Sequence, residues 1–253
     1  MTMNSAFVLP VAAAGIATVS LWHYATRPPT AHVLAGVDSS LSVKANCSGL
    51  AGALQSSLHR PGIREGSTLT LMAMGKAAND PEPNVVFRDK VPIPSDDAQG
   101  RKAKERQYAE KRNTFLAELA LACNQIAAAP YTPLYRLVLQ GLADLKAAGA
   151  CPPQGRCLFL VKTDLIEDVD PLLTALLGQA AEDPTVPVPA ELAASLDNTG
   201  VEIVFCGTSE IRPGKRTAKS ASLDTRQRIW RELFVDRASV SFQPFCRAFD
   251  APQ

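Results

Sequence analysis

Three oxygen-bearing side chains follow one apolar segment at a spacing of two residues. The segment Val33 to Val43 begins as an apolar run typical of a buried parallel strand, and then carries Asp38, Ser40 and Ser42 in a D-x-S-x-S pattern. In near-extended backbone, side chains two residues apart turn to the same side. One carboxylate and two hydroxyls form a hard-oxygen surface that suits Mg²⁺. Asp and Ser are also ordinary helix-capping residues, so the pattern has a purely structural interpretation as well.

The common enzyme motifs are absent. The sequence contains no complete phosphate-binding loop, no dinucleotide fingerprint, no nucleophile elbow and no His/Cys cluster with zinc spacing. The three histidines, His23, His32 and His59, all precede Asp164, so a Ser-Asp-His order is not met. Aspartyl phosphatases of the haloacid type need D-x-D, and the second acidic position is occupied by Ser40. Nothing therefore supplies a general base or a nucleophile with its partners.

Composition describes an ordinary globular chain. The 253 residues allow one large domain or two small ones, and the net charge of +1 gives no argument for a nucleic-acid partner. Six cysteines in this length do not suggest a disulfide scaffold. We expect Cys47, Cys123, Cys157 and Cys206 to pack as small hydrophobic residues. Pairing of Cys151 with Cys157 in an oxidising compartment stays open.

The N-terminal region carries an apolar run from Ala6 to Trp22, which is about the shortest length that crosses a bilayer. Trp22, Tyr24 and Arg27 after it resemble an interfacial belt with a basic stop. We therefore predict an anchor and spacer over residues 1–30, a single-pass membrane attachment, and a folded domain over 31–253. A buried helix is the alternative. Arg27 argues only weakly for a cytoplasmic domain, so the side of the membrane stays open.

The remaining chain alternates apolar strand patterns with helical patterns. Strands are predicted at 33–37, 67–74, 84–93, 156–161, 201–206 and 240–245, and helices at 45–58, 96–128, 132–150, 172–181 and 222–234. Such alternation predicts an α/β fold, with a doubly wound, mostly parallel sheet flanked by helices, and with the site beyond the carboxyl ends of its strands. Prolines at 92 and 94 place the 84–93 strand at an edge.

Two features of the helical patterns concern function. The first half of the 96–128 helix is strongly basic; a solvated helix face explains it, and acidic lipid head groups or nucleic acid are the alternatives. Thr132 and Pro133 begin the next helix, with Thr132 predicted as N-cap and Pro133 as first helical residue. Thr132 follows a helix, not a strand, so only tertiary structure can bring it to the sheet edge.

Taken in order, the D-x-S-x-S pattern, the TPLYRLVLQGL helix start at Thr132 and the LFLVKTDLIED strand end at Asp164 resemble the von Willebrand factor A-like (vWA) domain. The resemblance extends over about residues 31–245 and is specifically to the metal-ion-dependent adhesion site of that family. All five family positions are filled. Two departures are Lys162, where such strands carry something small or apolar, and the long basic helix before Thr132.

The resemblance implies a vWA/Rossmann-like fold and a divalent metal, Mg²⁺ first, with Mn²⁺ or Ca²⁺ as alternatives. It implies that Ser40 and Ser42 ligate the metal directly through their hydroxyls. It also implies that Asp38, Asp164 and Thr132 bind the metal either directly or through a water molecule. Two carboxylates then roughly neutralise the metal, and one coordination position stays open to water. An exposed Asp or Glu of a protein partner can replace that water.

Basic residues after the 201–206 strand form a candidate rim for such an acidic partner, namely Arg212, Lys215 and Arg216, with Lys219 close behind. A solvated loop is an equal explanation for them. The sequence thus predicts a membrane-tethered, metal-dependent protein-binding module that is not an enzyme. The alternatives are a metal-dependent hydrolase or phosphoryl-transfer enzyme that uses Asp38 and Asp164, and a structural domain without a metal.

Overall fold

The computed structural model describes residues 32–37, 66–74, 83–93, 100–126, 131–147, 151, 157–207 and 221–244. Its six strands form one sheet in the order β3-β2-β1-β4-β5-β6. The strands are β1 (His32–Val37), β2 (Thr68–Ala73), β3 (Asn84–Lys90), β4 (Cys157–Lys162), β5 (Val201–Cys206) and β6 (Val240–Gln243), and the helices of this part are α1 (Arg101–Asn124), α2 (Leu134–Ala147), α3 (Pro171–Glu182) and α4 (Leu223–Glu232).

Every neighbouring pair in the sheet is parallel except β2 with β3, which is antiparallel. The order reverses between β1 and β4, where Val37 pairs with Lys162, and Lys162 in turn pairs with Cys206 of β5. The predicted doubly wound, mostly parallel sheet is therefore confirmed, as is the edge position of β3. In open sheets of this order the ligand crevice lies outside the carboxyl ends at such a reversal point.

Helices cover both faces of the sheet. One face packs against a core cluster that includes Leu137 of α2, Leu173 of α3 and Trp230 of α4. The opposite face packs against a smaller cluster that includes Phe115 and Cys123 of α1. Because successive side chains of a strand point to opposite faces, both faces of the apolar parallel strands are buried, which explains their continuous apolar runs.

Helix α1 is shorter than the sequence predicts. Residue 96 was expected to open it, but Gly100 has a φ of 86° and the helix begins at Arg101. A backbone conformation in this left-handed region suits glycine and interrupts a helix. The predicted anchor over residues 1–30 and the predicted helix over 45–58 lie outside the described residues. Within the described ranges, no helix is both long and apolar enough to cross a bilayer.

The cysteines differ from the expectation. The sequence left the pairing of Cys151 with Cys157 open, and in the structure a disulfide joins the two residues. Cys123 and Cys206 are disulfide-bonded as well, so the prediction that Cys123, Cys157 and Cys206 serve only as small hydrophobic residues is wrong. They are nevertheless buried, because a disulfide is itself apolar and packs into the core. No described cysteine is free.

Candidate metal centre

Asp164 lies just beyond the carboxyl end of β4 and is almost completely buried, with 1% of its surface exposed. Its Oδ1 accepts a hydrogen bond of 3.1 Å from the backbone N–H of Ile166. Its Oδ2 is buried and accepts no hydrogen bond from any part of the chain that the structure describes. A buried carboxylate oxygen without a donor is costly, so it requires either a proton or a cation.

The backbone around Asp164 is held in an uncommon conformation. Leu165 has a φ of 64°, in the left-handed region that bulky residues rarely adopt. Its N–H donates to the Thr163 hydroxyl at 3.1 Å, and its carbonyl accepts a 3.1 Å hydrogen bond from the indole Nε1 of Trp230. Leu165 and Trp230 are both fully buried. Packing and hydrogen bonds thus fix this conformation, as is typical where strain serves a site.

The acidic residues after Asp164 hold this loop, residues 163–170, against the start of α2. Glu167 Oε2 accepts from the backbone N–H of Tyr135 at 2.6 Å, and Asp168 Oδ1 accepts from the N–H of Thr132. The Asp168 N–H in turn donates to the Thr132 carbonyl at 3.3 Å. These carboxylates satisfy N–H groups at the helix N-terminus and complement its dipole. The contacts bring Thr132 to the loop that carries Asp164.

The predicted capping of α2 is therefore corrected. The helix begins at Leu134, and the Pro133 carbonyl accepts the first intrahelical bond from Leu137 at 3.0 Å. Pro133 is thus the N-cap and not the first helical residue, and Thr132 lies one residue before it. Proline has no side-chain acceptor, so Glu167 supplies the capping oxygen from another loop.

Burial dominates the electrostatics of the acids that follow Asp164. Burial raises the pKa of Glu167, although the backbone N–H groups of Tyr135, Asp170 and Val169 oppose that effect. Burial likewise raises the pKa of Asp168, and the negative charge of Asp164 raises it further. Burial is the largest cause in both acids, and the charge of Asp164 acts only on Asp168. A divalent cation beside Asp164 would oppose that one repulsion.

Of the five predicted metal ligands, the structure describes Thr132 and Asp164. Both are buried, and both belong to one hydrogen-bonded unit at the carboxyl edge of the sheet. Asp38, Ser40 and Ser42 lie outside the described residues, as do the rim residues Arg212, Lys215 and Arg216. No cluster of three or more His, Cys, Asp or Glu suitable for a metal occurs in the described ranges.

The donor set still fits a hard divalent ion. A buried carboxylate oxygen without a donor and a nearby threonine are oxygen ligands, which Mg²⁺, Mn²⁺ and Ca²⁺ prefer. The sequence adds one further carboxylate and two hydroxyls directly after Val37, the residue that pairs with Lys162. Only two carboxylates would face the ion, so its charge would be roughly balanced.

Sequence reasoning missed the supporting residues of this site. In the sequence, Glu167 and Asp168 are simply acids that follow an apolar strand pattern, and Trp230 is one apolar residue of a helical pattern. Their hydrogen-bond partners are 32 to 65 residues away along the chain. A run of acids directly after a buried strand was the one available signal.

Comparisons with known proteins give a fold and no family. No family model matches the sequence, and no curated protein matches it. The mussel byssus proximal thread matrix protein 1 is 11% identical with a TM-score of 0.42, over 86% of this chain and 44% of that chain. The manganese-loaded TRAP protein of Plasmodium vivax is 12% identical with a TM-score of 0.36, over 77% and 68% of the two chains.

An aerotolerance-related membrane protein from Bacteroides fragilis is 11% identical with a TM-score of 0.37, over 86% of this chain and 93% of that chain. At such identities the similarity concerns the fold alone. The six-stranded, doubly wound sheet described above is of the vWA/Rossmann-like α/β type.

Proposed function

We propose that this chain is a membrane-tethered protein-binding module, an adhesion or scaffold domain, whose contact with its partner depends on a divalent metal. The observation that carries the proposal is the buried Oδ2 of Asp164, which has no hydrogen-bond donor among the described residues. It lies beside the reversal point of the sheet, where β1 and β4 meet. A metal ion at that point would supply the missing charge and coordination.

The other ligands follow from chain continuity and from the resemblance. Asp38 is bonded directly to Val37, and Val37 pairs with Lys162, two residues before Asp164. Neighbouring strands are about 4.8 Å apart, so Asp38 and Asp164 begin within reach of one ion. Ser40, Ser42 and Thr132 would add hydroxyl oxygens. Mg²⁺ is the expected ion, with Mn²⁺ or Ca²⁺ as alternatives.

The partner is a protein with an exposed Asp or Glu. With one coordination position open to water, a carboxylate of the partner can enter it and bind the metal directly. Arg212, Lys215 and Arg216 would attract that acidic partner if their loop lies beside the site. Hydrolysis or phosphoryl transfer at the same ion remains the alternative. It would need a nucleophile or base beside Asp164, and the acids described there, Glu167 and Asp168, already accept hydrogen bonds from the backbone of the α2 start.

The disulfides favour a location outside the reducing cytosol. Cys123, Cys151, Cys157 and Cys206 are all disulfide-bonded, and such bonds form and persist in oxidising compartments. This outweighs the weak opposite argument from Arg27. The module would therefore be anchored by residues 1–30 with its folded domain on the outer side of the membrane.

Metal binding tests the proposal directly. Titration of the full-length protein with MgCl₂ in a calorimeter should show one site, and Asp164→Asn should abolish it. Asp89→Asn, an exposed carboxylate at the opposite end of the sheet, should leave binding unchanged. Equal binding by wild type and Asp164→Asn would refute the metal site. Metal-dependent turnover of a generic phosphate ester, lost in Asp38→Ala, would favour the enzyme instead.

A further inference from the structure

We propose that the N-terminal half of α1 rests on an anionic lipid surface, namely the membrane that holds the N-terminal segment. This inference depends on the proposed membrane tether but not on the proposed metal. It assigns a role to the basic half of α1, which the metal site does not use.

The charge of this half-helix is strongly one-sided. Residues 101–112 contain six Lys or Arg and two Glu. Lys102 and Lys111 are exposed, and the Arg106 side chain is 84% exposed, with one ion pair to Glu110. Among the side chains of α1 whose burial is described, Phe115 is the first that is buried. Lys104, Tyr108 and Arg112 before it are half-buried, so these turns contribute little to the core while they carry the positive charge of the helix.

The half-helix extends past one particular edge of the sheet. The ring of Phe115 meets the ring of Phe87, in the middle of β3, at 5.5 Å. Earlier in the helix, Gln107 and Lys111 line a groove with Pro92, just beyond the end of β3. Following α1 backwards therefore leads from the middle of β3 to its end. Residues 101–106 lie further in that direction.

That end of β3 is the amino edge of the parallel strands. Lys90 pairs with Thr68, the first residue of β2, and Thr68 pairs with His32, the first residue of β1. The chain from the predicted anchor enters the domain at His32. His32, the first described residue after the predicted anchor, therefore lies at the same edge of the sheet as the basic half of α1.

The candidate metal centre lies at the opposite edge. Six residues of strand separate the two edges, about 20 Å at 3.3 Å per residue. A domain resting on lipid through its amino edge would point the Asp164 loop away from the membrane and toward a partner. Each Lys or Arg near an anionic surface strengthens binding roughly fivefold. An acidic protein would match the same charge, but no described feature of this edge positions one, whereas the proposed tether would bring lipid there.

Hydrogen exchange of the full-length protein in lipid nanodiscs tests the inference. One set of nanodiscs contains phosphatidylcholine alone, and the other contains equal parts of phosphatidylcholine and phosphatidylglycerol. Amides of residues 101–112 should exchange several-fold more slowly in the anionic discs, and added salt should remove the difference. In Lys102→Gln/Lys111→Gln the difference should fall towards zero.

Two control variants test whether the protection depends on the charge of this half-helix. Glu105→Gln/Glu110→Gln on the same helix should increase the protection, because it raises the net positive charge. Arg136→Gln/Arg237→Gln removes the same charge as the test variant from exposed positions on α2 and before β6, and it should behave as wild type. Equal exchange in both lipids, or an equal effect of the two charge-removing variants, would overturn the inference. Failure of the protein to stay on neutral nanodiscs would instead refute the tether.

Discussion

At the scale of single residues, the hydrogen bonding of Asp164 distinguishes a metal site from a loop with only a structural role. Its carboxylate is buried with one hydrogen bond, and its charge disfavours ionisation of Asp168. A carboxylate kept only for structure would have both oxygens satisfied, as Glu167 does through three backbone N–H groups. The contrast between these two buried acids predicts that one needs a cation and the other does not.

The first prediction is that Mg²⁺ makes wild type more stable than Asp164→Asn, whereas without metal wild type is no more stable than the variant. With Mg²⁺ at about 100 times its dissociation constant, wild type should gain about 2.7 kcal/mol, which raises Tm by about 5 to 10 °C for a domain of this size. Asp164→Asn should lose this gain. Without metal the variant should equal or exceed wild type, because it removes an uncompensated buried charge. Thermal melts with MgCl₂ and with EDTA measure both effects; identical melts in the two conditions would contradict the prediction.

A second residue-scale prediction concerns pH and His32. Burial lowers the pKa of His32, and the charge of Lys90 lowers it further. The folded protein therefore takes up this proton less readily than the unfolded chain. As the pH falls below the ordinary value of 6.5, the free energy of unfolding decreases, and above that value the contribution is constant.

Urea denaturation at about pH 7.5 and about pH 5.5 measures this term, with His32→Gln as the reference that removes it. Wild type should lose more stability than the variant between the two pH values. A parallel decline in both proteins would show that His32 does not carry the dependence.

At the scale of elements, the Asp164 loop depends on α4 for its shape. The indole N–H of Trp230 bonds the carbonyl of Leu165, the residue with a φ of 64°. Trp230→Phe keeps an aromatic side chain but a smaller one, and it removes the donor. An unsatisfied buried carbonyl costs about 1 to 3 kcal/mol, and the smaller ring adds a cavity cost in the same direction. We expect that loss in chemical denaturation.

The same variant should also bind Mg²⁺ more weakly, although every proposed ligand is intact. Phe205→Leu is the matched control, since Phe205 contacts Trp230 in the same core at 5.6 Å between ring centroids but makes no bond to the loop. If the control is destabilised to a similar extent but keeps its affinity for Mg²⁺, the weaker binding of Trp230→Phe comes from the lost positioning of the loop and not from lower stability. Equal metal affinities in both variants would remove the positioning role.

The contact of α2 with the sheet gives a further element-scale prediction. A β-carbon at Gly141 would lie 2.5 Å from the Phe159 ring and 2.7 Å from Leu34, whereas one at Gly178 of α3 would meet nothing within 4 Å. Gly141→Ala should therefore destabilise by about 1 to 3 kcal/mol. Gly178→Ala should stabilise by about 0.5 to 1 kcal/mol, because alanine is the better helix former. Urea denaturation of both variants measures the two signs.

The elements also explain what the sequence could predict. Strand β5 matches its predicted range because a short, mostly apolar run rich in β-branched residues, with Gly200 before it and Gly207 after it, favours a strand over a helix. The start of α1 was missed because Gly100, with its positive φ, overrides the helical pattern before it. The cap of α2 was misassigned because its acceptor, Glu167, lies 32 residues away from Tyr135. Local pattern predicts elements, and contacts distant in sequence complete the site.

At the scale of the whole molecule, the two ends of the sheet differ in character. The carboxyl end carries buried acids around Asp164, while the amino end receives the chain at His32 and the basic half of α1. A parallel sheet keeps these ends apart, so the proposed membrane attachment and the proposed metal site would lie at separate ends. The disulfides are of the kind that persists in oxidising compartments, which is the basis of the proposed external location.

The compartment itself can be tested by counting reactive thiols. The chain has six cysteines, and the four described ones, Cys123, Cys151, Cys157 and Cys206, are bonded. Growing cells are quenched with acid, and the full-length protein is unfolded and treated with a maleimide polymer that labels free thiols. Each chain should then gain at most two labels, and it should gain six labels if it is reduced first. A version without residues 2–30, which would stay in the cytoplasm, should gain six labels without reductant, because thiols are kept reduced there. Six labels on the unreduced full-length protein would place the domain in the cytoplasm and contradict the exported module.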